Sequence, residues 1–437
     1  MNSVETYKQV STLRVFRGYL FNNLTNNRKE YIMINKKLFS LEKERSNCIM
    51  LFVEKSGRAQ IRSKNKLRVF MKLITKKSLS RTQLEKSLKL SATSVTRITE
   101  ELIKENLIYE AGTDETPFGR KPILLKVVEN SFYIVGIHIQ RLSLSICVTN
   151  MAKEQVYHNK IKLNQISTTM KLENVFLSAL VDMKKSTGIP NEKILGVGVA
   201  VRGVVSENEG VIIRFRDNIT NVKIADIVKK EIGAYCYIKN NIIAEVEAKY
   251  IYGAKKMPSD FLYLFVEDGV GCSIVSDKHI VSGAKNLSGK IAHVEVEPNG
   301  QICSCGKKGH LESYVTQSAI INEYKLLTGK TCSFEDIVCS AQQNEKEAKQ
   351  ILDKAFFYLG KTLLMLILIA NPSEVVLKGS IFDLYPDGVE WIKNYINDNV
   401  FLPILSDIKW KISGKSSANT EVLVINTVLQ CALEKKM

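Results

Sequence analysis

The sequence predicts an α/β protein in which a winged helix-turn-helix is followed by a larger, two-lobed α/β body. Three observations support this fold class. Residues 61–128 place apolar residues at helical spacing and then form two short apolar runs typical of a β-hairpin. Beyond residue 130, short apolar runs alternate with helical segments, as they do in α/β domains. Two Cys and two His between residues 293 and 310 predict a metal-binding loop in the second half of the chain.

Composition excludes several classes of protein. The chain has 437 residues, of which 45% are hydrophobic and 24% are charged, so two or three globular domains are expected. We find no secretion-signal pattern and no uncharged run long enough to span a membrane, which predicts a cytoplasmic protein without a membrane partner. Nine cysteines in a chain of this length favour a reducing compartment and a metal site over a disulfide framework.

Positive charge is concentrated near the N-terminus. The net charge is +17, and residues 1–128 contain 26 Lys and Arg against 12 Asp and Glu, an excess of 14. The other 309 residues therefore carry an excess of only 3. A basic first third beside a nearly neutral body indicates that the first part alone contacts nucleic acid, here double-stranded DNA. A merely basic surface is the alternative that charge by itself leaves open.

The first 128 residues divide into an extension and a predicted DNA-binding domain. Residues 1–60 are basic and irregularly patterned, and we expect a loosely ordered extension. Residues 61–128 begin with a helix whose apolar positions are Leu67, Val69, Phe70, Leu73 and Ile74. Ser80 is expected to cap a short helix and Ser91 to cap a third, whose apolar stripe is Val95, Ile98, Leu102 and Ile103. Strands at 107–110 and 121–127, joined by a polar turn at 112–116, complete a winged helix-turn-helix; a three-helix bundle with a hairpin is the alternative.

The third helix of this domain carries the predicted DNA contacts. Short hydroxyl side chains and one guanidinium at a recognition-helix N-terminus suit contacts with base edges and phosphates. The residues with this pattern are Ser91, Thr93, Ser94, Thr96 and Arg97. Arg120, in the extended and basic segment Gly-Arg-Lys-Pro, is expected to reach a narrow, A/T-rich minor groove, and Lys121 beside it is a further expected DNA contact. A solvated hairpin tip is the alternative for these two residues.

Beyond residue 128, the body is predicted as two lobes. The first lobe spans 129–250 and is completed by a closing helix at 420–437, and the second spans 251–419. Strands are expected within 132–148 and at 194–201, 235–238, 261–265, 272–275 and 374–378. Helices are expected at 172–186, 242–250, 345–371 and 420–436.

The metal loop has the pattern His-x9-Cys-x-Cys-x4-His, formed by His293, Cys303, Cys305 and His310. Thiolates and imidazoles are the ligands that structural Zn²⁺ prefers, and four of them close a tetrahedral site. Glycines inside the loop supply turns that a helix or strand could not make. Chance is the alternative, but two of only five histidines in the chain fall in this segment.

With these motifs, the chain resembles the ROK family, which groups repressors, open reading frames and sugar kinases, over about residues 60–437. In the DNA-binding part the resemblance is carried by Ile61-Arg-Ser-Lys-Asn65, Ser80-Arg-Thr-Gln-Leu84, Leu90-Ser91, Val95-Thr-Arg97 and Gly119-Arg-Lys-Pro122. In the body it is carried by Gly196-Val-Gly198, Gly269-Val-Gly271, Gly289-Lys-Ile-Ala-His293 and the metal loop. The resemblance implies actin-like sugar-kinase lobes, an N-acetylglucosamine/xylose repressor type of regulator, and dimers. The family's fourth zinc ligand is usually Cys, where this chain has His310.

Departures from the family's kinase motifs predict a protein that is not an enzyme. In place of the phosphate-binding Asp-x-Gly-x-Thr, the chain reads His138-Ile-Gln-Arg-Leu142. The family's sugar motif, whose Asp is the general base, appears as Lys239-Asn-Asn-Ile-Ile243. The amide of Asn241 cannot accept the proton of an attacking hydroxyl. Phosphoryl transfer depends on positioning and charge stabilisation, and both are altered here.

The resemblance also assigns a candidate sugar pocket to Asn240, Asn241, Lys290, His293 and Glu312. Asn240, His293 and Glu312 match family positions that contact sugar hydroxyls, through hydrogen bonds that amides, imidazoles and carboxylates make. Lys290 stands where the family has Glu, and Arg202 stands where it has Pro. A neutral sugar, an acidic or phosphorylated sugar, and no small ligand all remain open.

Together these features predict a transcriptional regulator, a repressor of carbohydrate-related genes. It would act as a homodimer or dimer of dimers and respond to a sugar or sugar-phosphate effector in the body. A sugar kinase with a fused DNA-binding domain is one alternative. A regulator whose body binds a partner protein instead of a sugar is the other.

Overall fold

The computed structural model describes residues 58–113, 122–163, 166, 168–216, 219–251, 258–400 and 407–414, and positions 425 and 428. Most of the predicted extension, the hairpin-tip residues Arg120 and Lys121, and most of the closing helix at 420–437 lie outside these residues. Across the described part of the chain, no helix is both long and apolar enough to cross a membrane.

The N-terminal domain is a winged helix-turn-helix. Its elements are α1 (Arg58–Lys76), β1 (Leu79–Ser80), α2 (Arg81–Leu88), α3 (Ala92–Lys104), β2 (Ile108–Thr113) and β3 (Ile123–Val127). Strand β3 pairs antiparallel with both β1 and β2. Ser80 and Gln83 form a capping box at the start of α2, and the Ser91 side chain caps α3, which confirms both predicted caps.

Two boundaries differ from the prediction. Helix α1 begins at Arg58, inside the stretch predicted as extension, because Arg58-Ala-Gln60 contains no large apolar residue that would extend the helical spacing read from Leu67 onward. Strand β2 continues to Thr113, into the predicted polar turn, because a register shift between Glu110 and Thr113 keeps Thr113 paired with Ile123 of β3.

The apolar residues predicted for the winged-helix core are buried, Ile103 only partly. That core continues into the body without a break. It includes Phe132, Ile134 and Met151 of the first lobe, together with Ile425 and Val428, which are helical and buried. Because one contiguous core spans both parts, the winged helix packs on the first lobe.

The first lobe is built on a five-stranded mixed sheet with strand order β11-β7-β4-β5-β6. Its strands are β4 (Tyr133–Ile139), β5 (Ser143–Asn150), β6 (Gln155–Lys162), β7 (Ile194–Val201) and β11 (Tyr235–Asn240). A smaller antiparallel sheet consists of β8 (Val204–Ser206), β9 (Val211–Arg216) and β10 (Ile219–Val222). The helices are α4 (Thr169–Thr187), α5 (Ile224–Glu231) and α6 (Asn241–Val246), and α6 runs into a π-helical turn, Glu247–Ile251, where the sequence predicted continuous helix.

The second lobe contains a five-stranded sheet with strand order β14-β13-β12-β15-β16. Its strands are β12 (Phe261–Val266), β13 (Val270–Ser276), β14 (His279–Ile280), β15 (Glu374–Lys378) and β16 (Lys409–Ile412). The helices are α7 (Glu312–Val315), α8 (Gln317–Thr328), α9 (Phe334–Gln342), α10 (Lys346–Ala370), α11 (Ser380–Leu384) and α12 (Pro386–Asn399). Helix α10 covers the sheet, with Leu352, Phe356 and Leu363 buried in the lobe's core.

Three parallel strands of the first lobe end in one row, which positions the candidate pocket. Ile139 of β4 is level with Val201 of β7, and Val201 is level with Asn240 of β11. The residues that follow these strands therefore emerge at one edge of the sheet, as ligand-binding residues do in open α/β sheets. This edge faces the second lobe, because the carbonyl of Gly203, which follows β7, accepts a hydrogen bond from Lys290 of the second lobe.

Candidate functional site

The metal loop is held by short antiparallel bridges. Glu295 pairs with His310 and Ile302 pairs with Lys308, so residues 295–310 form a small folded unit. Gly309 has φ +73°, and a Cβ there would overlap the Glu297 carbonyl. Only glycine fits this position without moving the backbone, and it places His310 beside the two cysteines.

The structure brings the four predicted ligands together. One ligand atom from each of His293, Cys303, Cys305 and His310 lies within 4.8 Å of the others. The Cys303 Sγ to His293 Nδ1 distance is 3.6 Å, and the Cys305 Sγ to His310 Nδ1 distance is 3.3 Å. A tetrahedral zinc with ordinary bond lengths sets such a sulfur–nitrogen distance at about 3.6 Å. The donor set and its spacing therefore fit a structural zinc.

Glu312 lies directly beside this cluster. The Cys303 Sγ donates to Glu312 Oε1 at 2.8 Å, and the Ser304 hydroxyl donates to the same oxygen at 2.7 Å. Burial, assisted by the Glu312 carboxylate, raises the pKa of the Cys303 thiol to about 12. Zinc would bind the thiolate, so metal binding at this loop must release that proton.

The turn predicted to stand in place of the kinase phosphate loop is a closed hairpin. The backbone N–H of Gln140 donates to the Ser143 carbonyl at 2.8 Å, and the Ser143 hydroxyl donates to Gln140 Oε1 at 2.9 Å. His138 is buried, and burial together with the charge of Lys160 lowers its pKa to about 4. A neutral imidazole and a two-residue turn provide neither a carboxylate for a metal nor an open row of N–H groups for phosphates.

Asn240 and Lys239 have structural contacts at the position of the family's sugar motif. The Asn240 side chain caps α6 by accepting from the Ile242 N–H, and it donates to the Gly203 carbonyl at 3.0 Å. Lys239 forms ion pairs with Glu207 at 2.6 Å and Glu247 at 2.9 Å. Burial raises the pKa of Glu247, although Lys239 opposes this effect. Sequence reasoning missed this network, because Glu207 and Lys239 are separated along the chain and carry no shared motif.

Arg202 and Lys290 cross between the lobes. The Arg202 guanidinium, in the first lobe, donates to the Asp268 carbonyl in the β12–β13 turn of the second. The Lys290 ammonium, in the second lobe, donates to the Gly203 carbonyl of the first at 3.1 Å. Gly289 has φ +75°, and a Cβ there would overlap the Cys272 carbonyl, so glycine anchors the segment that carries Lys290.

The predicted recognition helix presents most of its polar residues to solvent. The Ser91 hydroxyl donates to Ser94 Oγ at 2.8 Å, and Thr93 lies 3.2 Å from Ser91, so these hydroxyls form a local network at the start of α3. Thr96 is exposed and donates to the Ala92 carbonyl. Arg97 is 63% exposed, 3.9 Å from Glu101. The structure thus places Thr93, Thr96 and Arg97 on an open face.

The fold and these sites define a class of protein, a winged helix-turn-helix joined to a two-lobed body of sugar-kinase architecture. The chain belongs to the ROK family, whose profile matches residues 134–404.

The chain is similar to two curated proteins and one solved structure, described below. It is 24% identical over 341 residues to the xylose repressor of Bacillus spizizenii, covering 76% of this chain and 87% of that protein. It is also 24% identical over 364 residues to the "DNA-binding transcriptional dual regulator NagC" of Escherichia coli, covering 80% and 89%. Among solved structures, a ROK family transcriptional regulator described as a homolog of the E. coli MLC protein superposes with a TM-score of 0.70. That structure is 22% identical, with 86% of this chain and 98% of the other covered.

Proposed function

We propose that this chain is a cytoplasmic DNA-binding transcriptional repressor of carbohydrate-related genes, controlled by a sugar or sugar derivative in the interlobe cleft. One observation carries the proposal. A winged helix packs on a kinase-like body whose phosphate-binding turn is a closed hairpin. The similarity to proteins named as xylose repressor and as DNA-binding regulator supports it.

In this proposal the DNA contacts come from α3. Arg97, Thr93 and Thr96 are exposed at the start of the helix, where a recognition helix meets base edges. The Ser91 hydroxyl is hydrogen-bonded to the backbone N–H and the hydroxyl of Ser94 at the start of α3. We therefore propose that these two serines contact phosphates and do not read bases. Arg120 and Lys121 stay proposed minor-groove contacts, and a homodimer or dimer of dimers would present two such helices to a palindromic site.

One zinc ion per chain, held by His293, Cys303, Cys305 and His310, forms part of the proposal. Since all four ligands are protein side chains, the ion would be structural and leave no open position for a substrate. Asn240, Asn241, Lys290, His293 and Glu312 would line the effector pocket next to it.

Sugar phosphorylation is the alternative that this proposal disfavours. Asn241 offers an amide where a general base is needed, and the neutral His138 stands where a metal-directing carboxylate is needed. A body that docks a partner protein instead of a sugar is the remaining alternative.

A binding selection tests the proposal. Full-length chain is incubated with a random pool of DNA duplexes at about 0.15 M salt, and bound duplexes are enriched and sequenced. We expect a palindromic site bound about a thousandfold or more tighter than random duplex. A variant lacking residues 1–128 should not bind the site. Failure to enrich any sequence, or full affinity in the shortened variant, would overturn the proposal.

A further inference from the structure

The two lobes exchange cation–carbonyl contacts at the cleft, in opposite directions. Arg202 reaches from the first lobe to the Asp268 carbonyl, and Lys290 reaches from the second lobe to the Gly203 carbonyl. The same Gly203 carbonyl also accepts from Asn240.

Lys290 lacks a carboxylate counter-charge in the described part of the chain. Its ammonium is partly buried and donates to one carbonyl, and no described Asp or Glu forms an ion pair with it. Burial lowers its pKa to about 8. Such a cation gains stability from an anion more than from a neutral hydroxyl, because hydrogen bonds between charged partners are the stronger ones.

The surrounding charges leave this part of the cleft positive. Burial lowers the pKa of the Arg202 guanidinium, and the charge of Arg141 at the β4–β5 turn adds to this effect, whereas the carboxylates of Asp268 and Glu312 oppose it. With Lys290, which contacts the carbonyl of the neighbouring Gly203, the groups named here are three cations and two carboxylates. The guanidinium of Arg202 also lies against Gly269, where a Cβ would overlap it.

We propose that the effector of this regulator is an anionic sugar, one that bears a phosphate or carboxylate group, and that Lys290 and Arg202 bind its anion. The inference rests on the proposed function, whose effector class it specifies. Asn240, Asn241 and Glu312 would meet the sugar hydroxyls. Without ligand, the two cations bind main-chain carbonyls across the cleft; with ligand, the anion replaces those carbonyls, and the contacts between lobes change.

Direct binding to the full-length, zinc-loaded chain tests this inference without DNA. Isothermal titration compares matched pairs: glucose with its 1- and 6-phosphates, N-acetylglucosamine with its 6-phosphate, and glucose with gluconate and glucuronate. At least one anionic member should bind about 10- to 100-fold tighter than its neutral parent, the ratio set by one charged hydrogen bond. The phosphate and carboxylate arms tell the two anions apart, and inorganic phosphate alone should bind weakly.

Two variants at Lys290 make the result specific. Lys290→Met keeps the length of the side chain and removes its charge, so the preference for the anionic member should fall by about 10-fold or more. Lys290→Glu restores the family's residue and should reverse the preference in favour of the neutral sugar. Lys325→Met, at an exposed position on α8, is the matched control and should change nothing.

Equal or weaker binding of every anionic member relative to its parent would overturn the inference. An anion preference that survives unchanged in both Lys290 variants would also overturn it. Neither result affects the proposed function, which the duplex selection tests separately. Conversely, a chain that selects no duplex but prefers anionic sugars through Lys290 would sink the proposed function and leave the pocket chemistry standing.

Discussion

The zinc proposal makes a quantitative prediction for Cys305→Ser. The substitution removes one thiolate and replaces it with a hydroxyl, which is a much poorer zinc ligand. The loop around it has other supports, since Gln301 N–H donates to the Tyr314 hydroxyl at 2.7 Å and Cys303 N–H donates to the Lys307 carbonyl at 2.7 Å. The apo loop should therefore persist, and the measured loss should be close to the free energy of zinc binding itself.

The magnitude follows from mass action. A ligand that binds only the folded state, at a free concentration a thousandfold above its dissociation constant, contributes about 4 kcal/mol. For lobes of this size, about 1 kcal/mol corresponds to roughly 2–4 °C in Tm. Cys305→Ser should thus lower the body's Tm by about 8–16 °C in zinc-replete buffer. A metal chelator should lower the Tm of the unaltered chain by a similar amount and leave the variant unchanged.

Differential scanning calorimetry with metal analysis provides the assay. Cys339→Ser is the matched control, because Cys339 is an exposed cysteine of the same lobe, on α9. The control should keep about one zinc per chain and the original Tm. Equal melting of Cys305→Ser and the unaltered chain, with or without chelator, would refute the reasoning, as would an equal loss in the control.

Three further outcomes are expected. If Arg97 reads a base, Arg97→Ala should weaken binding of the selected duplex by roughly 1–3 kcal/mol and change the sequence preference. A loss that is equal for all sequences, with a salt slope reduced by about one unit, would instead indicate a phosphate contact. Lys104→Ala, at the other end of α3, is the control and should change neither affinity nor preference. Asn241→Asp should give no sugar-dependent ADP release in a coupled assay, because the β4–β5 turn is unchanged; measurable turnover would show that the turn still binds ATP. The pKa of His138 is lowered to about 4, so its contribution to the free energy of unfolding is complete above about pH 6.5 and is lost as the pH falls toward 4. In urea titrations, the free energy of unfolding of His138→Gln should therefore fall by up to about 3 kcal/mol less than that of the unaltered chain between these two pH values.

The winged helix was predictable because its signals are local. The capping serines Ser80 and Ser91 lie next to the apolar stripes they introduce, and helix Arg81–Leu88 begins directly after Ser80, the predicted cap. Strand Ile194–Val201 was predictable for a related reason, since it is buried on both faces and every residue in it is small or apolar. The local sequence of such elements predicts their structure, whatever residues pack against them.

Other features depend on contacts between residues that are far apart in the sequence, and no local pattern predicts such contacts. The small sheet β8-β10 has few residues per strand and bulged pairing, so no alternation marks it. The Lys239 ion pairs require Glu207 from the β8–β9 turn and Glu247 from the π-helical turn, which come together only in the folded lobe. Likewise, Arg202 and Lys290 were identifiable as departures from the family, but their exchange of carbonyl partners between lobes appears only in three dimensions.

Strand β4 connects the proposed effector site to the proposed DNA-binding domain. Its first residues are next to Phe132 and include Ile134, both part of the core shared with the winged helix, and its last residue, Ile139, accepts from the Arg202 N–H at the cleft. The strand spans about 20 Å and is hydrogen-bonded on both sides, so it moves as a rigid unit. Under the proposed function, a change in the Arg202 contact would therefore reach the winged helix as a displacement of this strand. In a dimer, where two recognition helices must match half-sites about one helical turn apart, a small rotation of each is enough to weaken DNA binding.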